Sequence, residues 1–163
     1  MKMMTIKVYN PDTDQFREIE PARAQSSPWG RIQVKYKYKG KRGRAGQGLH
    51  FIVTAGHGGF MISRRFAEKN LSAEAINQGS VYGGYLCYEE DCAADIIRHE
   101  LGDLVNVAHY SSVTSEDVID SLCRWYPQYV VDKQIDLNAG QEKVLKQELN
   151  RGGLVAVEFT TGG

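Results

Sequence analysis

Polar and apolar residues alternate from Arg31 to Lys39, which places Ile32, Val34, Tyr36 and Tyr38 on one face of a strand and Arg31, Gln33, Lys35, Lys37 and Lys39 on the other. A shorter alternation, Thr5 to Tyr9, is followed by the turn-rich Asn10-Pro11-Asp12-Thr13-Asp14 and a second run, Phe16 to Ile19, and reads as a hairpin or an ordered arm. Leu49-His50-Phe51-Ile52-Val53 has the composition of a buried strand. Phe60-Met61-Ile62 resumes extended structure, so the glycine-rich Thr54-Ala55-Gly56-His57-Gly58-Gly59 falls at a strand-to-strand turn. Leu154 to Thr160 alternates as a last strand. Gly40 to Gly48, with Lys41, Arg42 and Arg44 among its glycines, reads as a long basic hairpin tip without regular structure.

The period changes to that of a helix at Ser63, a capping residue with Phe66 on the buried face, and Ser72 to Ile76 suggests a second short helix that stops near Gly79. Val81 to Cys87 is aromatic and loop-like. Tyr88-Glu89-Glu90-Asp91-Cys92 then opens a helix that turns Cys92, Ile96 and Ile97 inward and ends around Gly102. Three carboxylates at a helix start complement its positive dipole end, a structural explanation sufficient for them. Thr114 caps a helix running through Val118, Ile119, Leu122 and Trp125 to Pro127, and Ala139 to Asn150 forms the last helix, ahead of Gly152-Gly153. The expected fold is α+β: an antiparallel sheet from strands near 5–9, 31–39, 49–54 and 154–160, with the helices packed on one face. Within one domain of 163 residues the pattern separates an N-terminal arm (1–26), a core (27–130) and a C-terminal helix and strand (131–163).

A content of 42% hydrophobic and 25% charged residues excludes a disordered or fibrous chain. No apolar run is long enough to span a bilayer and the N-terminus lacks a signal-peptide pattern, so no membrane association and a cytoplasmic location are expected. Cys87, Cys92 and Cys123 lack paired zinc-site spacing and are expected to be reduced. The charge distribution changes the picture more. No acidic residue occurs between Glu20 and Glu68, where Arg23, Arg31, Lys35, Lys37, Lys39, Lys41, Arg42, Arg44, Arg64 and Arg65 contribute ten positive charges; of 20 basic residues that leaves ten elsewhere against all 20 acidic ones. Lys35, Lys37, Lys39, Lys41, Arg42, Arg44, Arg64 and Arg65 are the candidate binding surface, with nucleic acid or an acidic protein as its partner. Mutual neutralisation of the two halves is the competing explanation.

His57, flanked by glycines, is the candidate catalytic residue, with Glu89, Glu90 and Asp91 as its acids. Imidazole and carboxylate together suit a general-base pair or a divalent metal, which is the one cofactor this sequence admits; none is otherwise expected. The competing role for His57 is structural, as a hydrogen-bonding group that holds its loop. Cys87 or Cys92 as a thiol nucleophile is a weaker alternative, because a buried thiol is inert. His99-Glu100 lacks the second histidine of a zinc-peptidase helix, and Gly56 to Gly59 lacks the lysine of a phosphate loop. Trp29, bracketed by Pro28 and Gly30, is expected to plug an apolar edge of the core.

Ser27-Pro28-Trp29-Gly30, Thr54 to Gly59 with Ser63 and Arg65 beyond, Tyr88-Glu89-Glu90-Asp91 and Trp125-Tyr126-Pro127 occur in an order similar to that of a phage and plasmid domain-of-unknown-function family with a PWG, TAGHGG and YEED core. The resemblance covers roughly residues 27 to 130 and does not extend to Lys39–Gly48 or to the C-terminal helix and strand. It implies a mobile-element origin and carries no activity. By association it points to an accessory protein that inhibits a bacterial defence system, of anti-CRISPR or anti-restriction type, by binding a host defence protein or nucleoprotein complex. A small His/acid hydrolase or metal-dependent enzyme is the alternative function.

Overall fold

The alternating segments pair as strands in the computed structural model, which describes residues 5–19, 26–39, 45–105 and 113–151. In chain order the first of these are β1 (Ile6–Asn10), β2 (Gln15–Ile19), the two-residue β3 (Ser26–Ser27) and β4 (Gly30–Arg31), β5 (Val34–Lys39), β6 (Ala45–Val53) and β7 (Gly58–Ser63). Helices α1 (Arg64–Asn70) and α2 (Ala73–Gln78) lead into β8 (Ser80–Tyr82), β9 (Tyr85–Glu89) and α3 (Ala94–Val105). A seven-stranded sheet runs β2-β1-β5-β6-β7-β9-β8, and β3 and β4 pair separately. Its pairings are antiparallel except that β1 lies parallel to β5. The fold is α+β.

Three expectations change. Residues 81–87 are not a loop but most of a β8–β9 hairpin, closed by Gly83 and Gly84, with Gly83 in the left-handed region at φ 56°. Tyr88 and Glu89 belong to β9, and the helix begins only at Ala94. Glu89 therefore ends a strand and Glu90 and Asp91 occupy the turn after it; the acid in the first turn of α3 is Asp95. The glycine-rich stretch is regular from Ala45 onward, because β6 reaches back to pair Ala45 with Lys39. The expected strand at 154–160 and the residues Lys41, Arg42 and Arg44 lie outside the described residues.

Directly opposed residues share a sheet face, so the register assigns side chains to layers. Val8, Lys35, Ile52, Gly59 and Glu89 form one row across β1, β5, β6, β7 and β9. On that face Val8, Ile52, Met61 and Cys87 are buried in a cluster with Ile6 and Ile32, onto which Trp29, Ile19, Tyr82 and Tyr85 pack. Trp29 thus covers an apolar surface as its bracketing residues suggest. The other face carries the row Tyr36, Phe51, Phe60 and Tyr88, with the Phe51 and Phe60 rings edge to face at 5.1 Å. Against it pack α1, whose Ser63 cap accepts the Phe66 N–H, and α3, which buries Ile96 and Ile97. The fully buried Tyr88 hydroxyl donates to the Ala75 carbonyl at 2.7 Å and ties α2 to β9. Helix α3 passes an irregular residue, Leu101, near the expected stop at Gly102 and continues to Val105.

The chain divides into two compact units between Ser112 and Val113. In the second unit, α4 (Ser115–Trp125), α5 (Pro127–Asp132) and α6 (Ala139–Arg151) pack on one another, with Val118, Leu122, Tyr129, Val130, Leu145 and Leu149 buried. Thr114 caps α4 as expected. Asn138 and Gln141 cap α6 reciprocally: each side-chain oxygen accepts the other's backbone N–H.

Candidate metal centre

The β6–β7 connection is built by Thr54. Its buried hydroxyl donates to the His57 carbonyl at 2.6 Å and accepts the His57 N–H at 3.2 Å, while its own backbone N–H donates to the same carbonyl at 2.9 Å. The hydroxyl also lies 3.3 Å from the Trp29 carbonyl, so the loop is clasped to the segment that covers the sheet. The structural role expected of the His57 ring therefore belongs to Thr54, because a short side chain facing the loop's own backbone satisfies it locally. The ring is left turned outward, with its side chain 60% exposed.

Glu89 arrives beside this loop because β9 pairs with β7 in a register that opposes Glu89 to Gly59. The chain then follows β7 for one residue more, the Glu90 N–H donating to the Gly58 carbonyl at 2.9 Å, before it turns at Asp91. The Glu90 carboxylate goes to the side of Gly58. His57, Glu89 and Asp91 remain, and each offers one ligand atom such that these atoms lie within 4.8 Å of one another. His57 Nδ1 is 3.8 Å from Glu89 Oε1. Desolvation raises the Glu89 carboxyl above the usual range, and the hydrogen bond and charge of Asp91 and the charge of Glu90 raise it further, against a smaller opposing effect of His57. The charges of Asp91 and Glu90, acting beside the larger effect of desolvation, place Glu89 in a field of like sign that a dication would relieve.

Of the expected acids, then, Glu89 and Asp91 meet His57 and Glu90 does not. Of the two thiols, Cys87 is buried on the opposed row of Met61, and burial pushes it up to about 11; Cys92 lies not on a helix face but half-buried in the turn before α3, where burial and then the charges of Glu89, Asp91 and Asp95 raise its thiol above the usual range, so neither is poised as a thiolate. Of the candidate basic residues, Lys35, Lys37, Arg64 and Arg65 are described in full, and none of these four belongs to the His57 cluster. Arg64 and Arg65 are exposed at the start of α1, beyond the other end of β7. Lys35 and Lys37 are half-buried on the face that carries Ile52 and Met61. Sequence reasoning missed Thr54, for which the available signal was a threonine opening the glycine loop.

A family profile described as a domain of unknown function (DUF7007) matches residues 22–151. That range begins after the β1–β2 hairpin and runs through α6, beyond the span covered by the shared motifs. No curated protein and no solved structure matches the chain.

Proposed function

The chain belongs to the DUF7007 family, and from that premise we propose that it is a divalent-metal-dependent hydrolase whose ion is held by His57, Glu89 and Asp91. The observation that carries the reading is the approach of their three ligand atoms to within 4.8 Å of one another. One imidazole and two carboxylates suit manganese or zinc, and three protein ligands leave coordination positions for water and substrate. When bound, such an ion supplies an acidified water and polarises the oxygen of the bond to be cleaved. The protein's own contribution is placement. Thr54 fixes the loop that carries His57, and the β7–β9 register fixes Glu89. With the two side chains 60% and 36% exposed, a substrate meets the site from solvent, which favours a polymer over a small molecule that must be enclosed.

The test is cleavage of labelled DNA and RNA oligonucleotides and of bis(p-nitrophenyl) phosphate in Mn2+, against the same reactions in EDTA. The reading expects Mn2+-dependent turnover that falls at least about 100-fold in Glu89→Gln, the loss that removal of one electrostatic group at a reacting centre produces. Turnover that survives both EDTA and Glu89→Gln removes the proposal.

The acid-free interval with its ten positive charges favours a second reading. In it the chain is a phage or mobile-element accessory protein acting in the host cytoplasm, which inhibits a host defence complex of CRISPR or restriction type through basic residues. Oligonucleotide binding without cleavage, weakening steeply as salt rises, is the outcome that favours it.

A further inference from the structure

Strands β2, β1 and β5 set three aromatic rings side by side on one face of the sheet. Tyr9 opposes Phe16 on β2 and Tyr36 on β5, and two residues along the ladder Lys7 opposes Glu18 and Val34, so these side chains share that face. The Tyr9 ring centroid lies 5.2 Å from that of Phe16 and 5.9 Å from that of Tyr36, and the Phe16 and Tyr36 rings meet edge to face at 5.7 Å. Tyr9 is buried between them, and its hydroxyl donates to the Asp14 carboxylate in the hairpin turn, which fixes the inner ring. Helices α1 and α3 pack on the same face nearer β7 and β9. Toward β2 the face opens: Phe16 is 54% exposed, Tyr36 is half-buried, and Lys7 and Glu18 are exposed. Here lies a cleft of about 440 Å³ lined by Lys7, Phe16, Glu18, Val34 and Tyr36. Although Lys7 and Glu18 stand opposite each other, neither has an ion pair or a side-chain hydrogen bond among the described residues.

An occupant of this cleft has to offer a flat apolar face to the rings, an acceptor to the Lys7 ammonium and a donor to the Glu18 carboxylate. A lone carboxylate or phosphate is repelled by Glu18, a guanidinium or quaternary ammonium by Lys7, and an aliphatic chain leaves both charges without a partner. An uncharged heteroaromatic ring with donor and acceptor on one edge meets all three requirements, and the nucleobases are such rings. In a duplex their faces are stacked and their pairing edges occupied, so the base must be unpaired. With Phe16 more than half exposed, the cleft covers one side of a ligand instead of enclosing it, which suits a base held by its strand better than a free nucleoside. We infer that Phe16 and Tyr36 form a stacking platform for a base of single-stranded nucleic acid, with Lys7 and Glu18 hydrogen-bonding its edge. Such platforms tolerate any sequence, because every base has a π-face. The inference rests on neither reading of the overall function: the platform lies on the sheet face opposite the one that carries Gly59 and Glu89, and its lining lysine, Lys7, lies outside the acid-free interval.

Fluorescence anisotropy of the whole chain with short labelled single strands of DNA and RNA tests the platform. EDTA keeps the readout independent of the proposed metal centre, and high salt suppresses phosphate contacts. Saturable binding of a single strand is expected, at least about fivefold weaker for the same strand made abasic and for its duplex, the lower end of what one stacked base contributes. Phe16→Leu keeps an exposed apolar side chain and removes the π-face, so it should weaken binding by about fivefold or more at an unchanged melting temperature, and Phe16→Tyr should restore it. Glu18→Ala separates edge recognition from charge. Removal of a carboxylate strengthens a merely electrostatic hold on a polyanion, whereas a site that reads the base edge should bind the strand more weakly. The assignment would be overturned by the absence of saturable binding to both single strands, by equal binding of the abasic strand, by a folded Phe16→Leu protein with undiminished affinity, or by tighter binding in Glu18→Ala. Displacement of the strand by a methyl glycoside but not by a nucleoside would overturn it equally.

Discussion

Gly59→Ala should destabilise the sheet by about 3 kcal/mol, at the upper end of what overpacking costs. A methyl group at this position would lie 2.3 Å from the Tyr88 carbonyl oxygen, 2.7 Å from the Trp29 ring and 2.9 Å from the Glu89 Cα. The first and third of these are backbone, and no rotamer change relieves them. Relief requires β7 and β9 to part at the pair that positions Glu89, so stability and the candidate site should be lost together. Gly56→Ala is the control, since a methyl group there meets nothing within 4 Å. Thermal unfolding should show a fall of at least about 10 °C for Gly59→Ala and little change for Gly56→Ala. Equal melting temperatures for the two variants would contradict the packing described.

Thr54→Val should cost about 2–3 kcal/mol, although it keeps the side-chain shape. The hydroxyl's bonds to the His57 carbonyl and N–H disappear, and the N–H is left without its partner. His57→Ala, by contrast, removes a ring that is 60% exposed and should change stability by less than about 0.5 kcal/mol. Urea unfolding of the two variants checks the division of labour between them: the loop is held by threonine, and the histidine is free for chemistry. A His57→Ala protein destabilised as much as Thr54→Val would return the histidine to a structural role.

Among the described residues the alternating strands β1 and β5 were legible because one of their faces is apolar, and the caps at Ser63 and Thr114 were legible because a hydroxyl before a helical period has a local explanation. Strand β9 was not. It lies between β7 and β8 with both faces covered, so Leu86, Cys87 and Tyr88 are all buried and show no period. The acidic run that follows was therefore assigned to a helix start, an assignment that dipole arguments support equally well. His57 was legible from its glycines. Which acids it meets was not, since that depends on the register between β7 and β9, a long-range pairing that Glu89-Glu90-Asp91 does not encode locally. The polar side of β5 shows the limit of alternation. It separates two faces, but only the neighbouring Ile52 and Met61 reveal that the lysine face is itself covered.

Calorimetric titration of Mn2+ into the metal-free protein, with Glu89→Gln alongside, tests the proposed centre most directly. The account expects one ion per chain and a loss of at least about 100-fold in affinity for the variant, at or beyond the roughly 10–100-fold lost with an outer-shell partner. Affinity should also fall as the pH is lowered, because the raised Glu89 carboxyl takes up a proton before an ordinary carboxylate does and the proton then competes with the ion. Saturable one-site binding that vanishes in Glu89→Gln is the result expected; no binding, or binding of equal strength and pH dependence in both proteins, would contradict a metal centre at His57, Glu89 and Asp91.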